Sequence, residues 1–360
     1  MNNKKITKNQ MTLLLVGMMI GTETIYIPNL MVRYGNQTGW MCLILGAMYP
    51  IYIVYVANIM CKNYPNENIL KLSKRFLGKF LGSIFNFIFL VEFVFYTTIR
   101  CAELSNLIRV YIVYFLKPNV IFFVVVLVAA YSSYLGLHVI SRVNEVILFF
   151  SIPMFLVPLV ALKRGSLLNL SPVFGASVGE FAYCTYIASN LFYGIELIFL
   201  IYPYLNKKTD LKKSGLYSVL ITVVIFVWFT FATIYYLGID IIPKYLWAFT
   251  SVTKALRLTT VKNFTFIFMF FWSIIIIQNI SNNYHAIVLI LSEFISKYKK
   301  KIISLIIFPV IACLPYIYGN EVRVREMKSK LVFVINAFNI IYTMIIVIAI
   351  YIKRGRKDEK

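Results

Sequence analysis

Charge is what this sequence most lacks. Only 14% of its 360 residues are charged, against roughly 25% in ordinary soluble domains. Acids are the scarcer sign, with 14 Asp and Glu facing 36 Lys and Arg. The two histidines, His138 and His285, stand near no carboxylate or cysteine cluster at metal-ligand spacing. Neither a Walker loop nor a GxSxG nucleophile elbow occurs. These absences argue against metal, phosphoryl and acyl-transfer chemistry, so no enzyme, metal or cofactor is expected. Cys42, Cys61, Cys101, Cys184 and Cys313 show no CxxC spacing and mostly sit in apolar blocks, which reads as reduced structural thiols.

What is present is apolar: 60% hydrophobic residues, 17% aromatic, and a mean hydropathy of +0.79. The apolar residues fall in blocks of about 18 to 25, matching the roughly 20 helical residues that cross a bilayer core. Helices follow, because lipid leaves unpaired backbone groups unsatisfied, and the short alternating segments of a transmembrane barrel are missing. Ten spans are expected at about 9–32, 40–61, 80–106, 118–135, 139–162, 179–204, 215–238, 264–292, 302–318 and 331–352, in one domain covering 1–360. The first run resembles a secretory signal, but it extends to about Met31, contains Glu23 and lacks a small-residue cleavage site, so it reads as a retained span.

The net charge of +22 is scattered over many short connections and forms no single patch, so nucleic acid is not an expected partner. With a cytoplasmic N-terminus, 22 basic residues fall inside and 12 outside, with Arg100 and Arg109 on the third span completing the 36. The positive-inside rule therefore predicts both termini in the cytoplasm. The Cys61–Lys79 connection, with Asn66, Ile69, Leu70, Leu72 and Ser73, has the pattern of a short amphipathic helix lying in the membrane interface, and the 239–263 loop is similar.

Two spans are poor in helix-stabilising residues at mid-depth. The first carries Gly17, Met18, Met19, Ile20, Gly21 and Thr22, followed by Pro28. The sixth runs Ala188, Ser189, Asn190, Leu191, Phe192, Tyr193, Gly194, Ile195, Glu196. Glycine costs roughly 1 kcal/mol in a helix interior, so both segments invite an interruption, although small residues also serve close helix packing. With five spans per half, spans one and six correspond in a five-plus-five inverted repeat, and paired interruptions of that kind mark a midplane site in transporter folds. Freed N–H groups suit a carboxylate and freed carbonyls an ammonium, which together suit a zwitterionic amino acid.

On the third span Glu92, Tyr96, Arg100 and Glu103 share one face. Glu92 lies near mid-bilayer, where a carboxylate must be paired, hydrated or protonated. Arg100 and Glu103 approach the far end, and their spacing reads most simply as an i,i+3 ion pair at the rim. The eighth span has Gln278, Ser281, Asn282 and His285 on one face with Asn279 and Asn283 beside it, and such a stripe must face the bundle interior or a wet cavity. Asn336 and Asn339 on the last span invite two readings, interhelical packing first and a ligand, ion or water pathway second.

The order of these features resembles one family. Ile6, Thr7 and Gln10 precede the first span, then come Gly17, Gly21 and Pro28, Tyr64-Pro65-Asn66 through Leu77-Gly78-Lys79 to Leu81-Gly82, Gly136-Leu137, Ser141-Arg142, Glu145, Pro172, and Phe192, Gly194, Glu196 through Pro203. Together they resemble the B subunits of spore-germination nutrient receptors, the endospore germination permease family of GerAB/GerKB type, within the amino acid–polyamine–organocation superfamily. His138 departs from the family, which more often has an acid there, and Arg257 to Phe266 lacks its Arg-x-Glu character.

The resemblance implies a receptor subunit in the inner membrane of a spore, assembled with an A-type membrane subunit and a C-type lipoprotein subunit and responding to a small germinant such as an amino acid. The expected fold is an all-α integral membrane protein of about ten helices in a LeuT-like inverted repeat, with discontinuous first and sixth helices. The expected ligand contacts are Gly17, Met19, Ile20, Gly21, Thr22, Tyr96, Ser189, Asn190, Tyr193 and Gly194. A coupling or polar pathway is expected through Glu92, Arg100, Glu196, Gln278 and Asn282. An H⁺- or Na⁺-coupled amino-acid transporter of the same fold is the competing reading, and a passive water or ion path is a third.

Overall fold

The computed structural model describes residues 5–206, 210–256, 263–295 and 297–358, and side chains through 353. The part of the outer loop from Arg257 to Lys262, and with it most of the segment that departs from the family pattern, lies outside the described residues. Among these residues the chain is helical, with one parallel bridge between Ile6 and Leu205. In chain order the helices are α1 (Lys8–Met19), α2 (Ile27–Gly35), α3 (Gly39–Gly46), α4 (Met48–Asn63), α5 (Ile69–Tyr111), α6 (Pro118–Leu135), α7 (Leu137–Phe150), α8 (Ile152–Leu156) and α9 (Leu159–Arg164). They continue with α10 (Val178–Ser189), α11 (Ile198–Ile201), α12 (Leu211–Leu237), α13 (Phe249–Ala255), α14 (Phe264–Phe294), α15 (Lys300–Ile306), α16 (Phe308–Cys313) and α17 (Glu321–Asp358).

Seven described segments are long and apolar enough to cross a membrane, and two bent pairs, Leu137–Phe150 with Ile152–Arg164 and Val178–Phe192 with Ile195–Tyr204, raise the number to nine. The expected first span is not among them, because α1 has only 12 residues before the chain leaves the helix at Ile20. Its start is well specified. Thr7 accepts a hydrogen bond from the Gln10 N–H at 3.3 Å while the Gln10 side chain accepts from the Thr7 N–H at 3.1 Å, a reciprocal cap. Ile20 and Gly21 are extended, Thr22–Ile25 forms one tight turn, and α2 resumes with Pro28 in its first turn, where the missing N–H costs nothing.

The second interruption is built from different residues. A cap from Ser177 and Glu180 opens α10, which ends at Ser189. A turn at Asn190–Phe192, extended Tyr193 and Gly194 at φ +100° then redirect the chain by 46° into α11. The two interrupted segments are also tied at one end, where the Ile6 N–H donates to the Tyr204 carbonyl at 3.0 Å and the Asn206 N–H to the Ile6 carbonyl at 3.1 Å.

Helix α14 is the central post. It packs on α5, α6, α7 and α1, and its apolar stretch is the most buried of the seven. Helix α17 lies across α5 and α4. Large apolar side chains such as Met48, Phe80, Phe149 and Phe150 point outward, the surface expected where the solvent is lipid.

Two connections depart from expectation. The segment after Asn68 is helical and amphipathic as predicted, but Ile69, Leu70 and Leu72 are fully buried in the protein core, so its apolar face meets protein and not the membrane interface. Ser73 and Asn86 fix it, the Ser73 hydroxyl bonding Asn86 Oδ1 at 2.8 Å and Asn86 Nδ2 donating to the Leu70 carbonyl at 3.0 Å. The 239–256 stretch likewise docks on α2. Asn29 donates to the carbonyls of Ile242 (3.1 Å) and Tyr245 (2.7 Å) and accepts from the Ala248 N–H (2.9 Å).

Candidate functional site

Both interruptions meet the face of α5 that carries Glu92, Tyr96, Arg100 and Glu103. Ending a helix at Met19 frees carbonyls, and three of them converge on one side chain. Asn279 Nδ2 of α14 lies 2.8 Å from the Gly17 carbonyl, 2.7 Å from that of Met18 and 3.0 Å from that of Ile20. An amide nitrogen carries only two hydrogens, so a third donor is needed for three acceptors. Arg100 supplies it, with Nη1 donating to the Met18 carbonyl at 3.0 Å. Trp272 Nε1 covers the next one, the Gly21 carbonyl, at 3.3 Å.

The Arg100 guanidinium is fully buried and makes two further contacts, Nη2 to Glu23 Oε1 at 2.8 Å and Nε to the Tyr193 hydroxyl at 3.3 Å. It also lies 4.5 Å from the centroid of the Tyr193 ring, a cation–π geometry. Lys328 of α17 completes the group, reaching Glu103 Oε1 at 2.9 Å and Glu23 Oε2 at 3.4 Å, while the Thr22 hydroxyl bridges Glu103 and Glu23. Two acids and two bases from the first interruption, α5 and α17 thus form one neutral cluster. The expected rim pair between Arg100 and Glu103 is not formed. Each turns to a different partner, because pairing across helices neutralises four charges, three of them buried, where an i,i+3 pair would neutralise two.

Gly194 is held against the first interruption. A Cβ there would stand 2.8 Å from the Met18 carbonyl oxygen, and φ of +100° already disfavours any other residue. Tyr193, beside it, packs against Tyr96 with ring centroids 4.4 Å apart and planes tilted by 33°. Gly21 is similarly enclosed, its hypothetical Cβ lying 2.8 Å from Glu23 Oε2 and 3.1 Å from the Arg100 guanidinium carbon.

The predicted residues divide by position. Gly17, Ile20, Gly21, Thr22, Tyr96, Tyr193, Gly194 and Arg100 come together around this cluster, the glycines and Ile20 through their backbone. Met19 is buried in the apolar core. Ser189 is half-buried and bonds the Tyr186 carbonyl of its own helix at 2.7 Å, whereas Asn190 reaches outward to Asn336 of α17 at 2.8 Å. Gln278 and Asn282 form a separate amide cluster with Asn144 of α7, through Asn282 bonds of 2.8 and 3.0 Å to Asn144 and 3.0 Å to Gln278. His285 meets the Ser133 hydroxyl at 2.9 Å. The polar stripe of α14 therefore faces the bundle interior, as its composition requires.

Two further acids are buried, Glu92 deeper along α5 and Glu196 just after Gly194. Glu196 accepts from the Tyr49 hydroxyl and from the Gly194 N–H at 2.6 Å, and Glu92 Oε1 accepts from Asn339 Nδ2 at 3.0 Å. An apolar cleft of about 910 Å³ lies beside the interruptions and not between them, lined by Thr12, Val16, Leu148, Phe155, Tyr217 and Ile225 among others. Among the described residues no group of three or more His, Cys, Asp or Glu could hold a metal ion.

Sequence reasoning missed Glu23, Lys328, Tyr49 and Asn279 as members of the site. Glu23 carried a usable signal, a lone acid in an apolar run whose buried charge demands a base. Lys328 carried another, since Glu321, Arg325 and Lys328 fall on one helical face. Nothing in the sequence singles out Tyr49, and Asn279 is marked only as one member of the polar stripe of the eighth span.

A family model described as "Spore germination protein" matches residues 5–324. Among curated proteins, spore germination protein GerQB of Bacillus cereus is 23% identical over 307 residues, covering 82% of this chain and 81% of that protein. Spore germination proteins YndE and A2 of Bacillus subtilis (strain 168) are each 22% identical, over 212 and 211 residues, and for both the match spans 58% of this chain and 58% of the relative. With its apolar helices and a family match along nearly its whole length, this integral membrane protein belongs to the spore germination permease family.

Proposed function

We propose that the chain is the germinant-sensing subunit of a spore nutrient receptor, with the germinant, an amino acid, recognised where the two interruptions meet. The observation that carries this reading is the state of the freed carbonyls at Gly17, Met18 and Ile20. They are capped by side-chain donors from α14 and α5, the kind of donor that a ligand ammonium replaces, and Arg100, which bonds the Met18 carbonyl, and Lys328, which shares Glu23 with it, would be the partners for a carboxylate. The cluster is neutral, so a zwitterion enters it without leaving a net charge buried. In this reading the described arrangement is the closed, self-satisfied one, and the amino acid exchanges with its internal bonds.

Such an exchange favours one of two bundle arrangements only through differential affinity, about 5.5 kcal/mol for a swing from 1:99 to 99:1. The A-type membrane subunit and the C-type lipoprotein subunit read that shift in the inner spore membrane, with both termini of this chain in the cytoplasm. The architecture behind it is ten spans in a five-plus-five inverted repeat, α1 with α2 and α10 with α11 being the corresponding broken helices.

Spores carrying Gly21→Leu or Gly194→Leu, with the protein accumulating at the parent level, lose their response to amino-acid germinants. Normal germination of both variants would defeat the pocket assignment.

A second reading, an amino-acid transporter coupled to H⁺ or Na⁺, is favoured by one observation: Glu92 is buried with one oxygen unpartnered. Saturable, gradient-driven uptake of labelled amino acids into proteoliposomes would decide for it.

A further inference from the structure

Two free, buried thiols face each other where α3 packs on α10. Cys42 lies on α3, which follows the first broken segment, and Cys184 lies on α10, which leads into the second interruption.

The two helices touch in a fixed register. A Cβ at Gly46 would stand 2.8 Å from the Ala188 Cβ and 2.8 Å from the Ser189 nitrogen, so the backbones of α3 and α10 are in contact there. Cys42 is four residues before Gly46 and Cys184 four before Ala188. Each sulfur therefore sits one helical turn back from the contact, on the face that makes it. The Cys42 thiol reaches across to the Phe181 carbonyl of α10 at 3.8 Å, which sets the two helices parallel through this stretch.

Gly35 of α2 closes the geometry from a third side. A Cβ there would lie 2.7 Å from the Cys184 sulfur and 3.4 Å from the Cys42 sulfur, so a single absent methyl group would touch both thiols. Neither thiol has a strong partner to hold it away from the other. Cys42 meets the Thr38 carbonyl at 3.7 Å, and Cys184 meets the Met31 carbonyl at 3.8 Å and the Met31 sulfur at 4.0 Å, all weak contacts. A disulfide requires Cα atoms within about 7 Å of each other, a reach that helices in backbone contact one turn away bring into range.

We propose that Cys42 and Cys184 are an oxidation site, a dithiol that a small uncharged oxidant of the peroxide class converts to a disulfide. One thiol, as its thiolate, attacks a peroxide oxygen, the O–O bond breaks, and a sulfenic acid and one water result. The second thiol attacks the sulfenic sulfur and expels a second water. Two thiols thus lose two electrons and two protons, and the peroxide is reduced to two waters. Burial of both sulfurs keeps bulky disulfides out, while the start of α10, with Val178 and Tyr183, is exposed and leaves a small oxidant little protein to cross. The bond ties the chain just after the first broken segment to the chain just before the second interruption, and so holds the two interruptions at one separation. It does so whichever solute they recognise.

The test is hydrogen peroxide treatment of the purified full-length protein in detergent, followed by alkylation under denaturing conditions, digestion and mass spectrometry. The peptides carrying Cys42 and Cys184 are expected to appear joined, with the loss of two hydrogens, and to separate again in dithiothreitol. The thermal unfolding midpoint should rise on oxidation and fall back on reduction, and Cys42→Ser should abolish both the joined peptide and the rise. Exposed Cys313 reports that the oxidant has acted. If Cys313 is oxidised while Cys42 and Cys184 both remain alkylatable, or if each gains oxygen without a link, the site is overturned. A link that fails to raise the midpoint would equally overturn it, because a bond between helices already in contact must stabilise their packing.

Discussion

Two polar clusters share one face of α5, and they answer the cost of burying charge in opposite ways. Around Arg100, two acids and two bases cancel, and each charged group touches an opposite one. Glu92 and Glu196 are buried acids with no basic partner among the described residues, and one Glu92 oxygen is unpartnered. The first arrangement is complete as it stands and acts as a clasp joining the first interruption, α5 and α17. The second has no basic side chain paired with either acid among the described residues. A buried ion network is therefore not one kind of object, and what distinguishes the two here is charge balance and not depth or composition.

The largest expected effect comes from unbalancing the clasp. Arg100→Met leaves Glu23 with Lys328 as its only base and the three freed carbonyls with the Asn279 amide alone, and removing one partner of a buried pair costs about 3–5 kcal/mol. The variant should accumulate poorly or unfold far below the parent, and the double variant Arg100→Met with Glu23→Met should recover part of that loss in the same thermal assay. A single variant as stable as the parent would erase the distinction between the clusters.

Next comes a difference of sign. Glu23→Gln removes a charge that Arg100 and Lys328 need, and is expected to destabilise by about 2–4 kcal/mol. Glu92→Gln removes a carboxyl that no base among the described residues balances, so it should be neutral or stabilising, by about 1 kcal/mol. Denaturation of the two isosteric variants side by side checks this, and equal losses would sink the account of Glu92. The smallest effect is expected from Tyr96→Phe. Deleting a hydroxyl that has no hydrogen bond should change stability by no more than about 1 kcal/mol.

The sequence made some of this legible and concealed the rest for a physical reason. Helix ends are local events, so Gly17 to Thr22 and Ser189 to Gly194 could be read as interruptions from composition, and the chain leaves the helix in both places. Glu92 could be singled out because depth along a helix is also local. Partners are not local. Spacing along α5 offers Glu103 to Arg100, whereas the fold offers Glu23 to Arg100 and Lys328 to Glu103, a contact between residues 225 apart in sequence.

Lys328 was hidden by position as well as by distance. The apolar run of the last span begins at Leu331, which assigns Lys328 to a loop, yet α17 starts at Glu321 and carries it inward as a helical residue. The Ile69–Leu72 helix shows the complementary limit. Its amphipathic pattern was visible, but a pattern does not say whether lipid or protein covers the apolar face.

The central claim is that the meeting point of the two broken helices recognises an amino acid. Its most direct test is equilibrium binding of each radiolabelled standard amino acid to the purified protein in detergent, for the parent and for Gly194→Leu. The account predicts saturable binding of at least one amino acid by the parent and none by the variant, at matched folded protein. Binding of equal strength by both would place recognition elsewhere and contradict it.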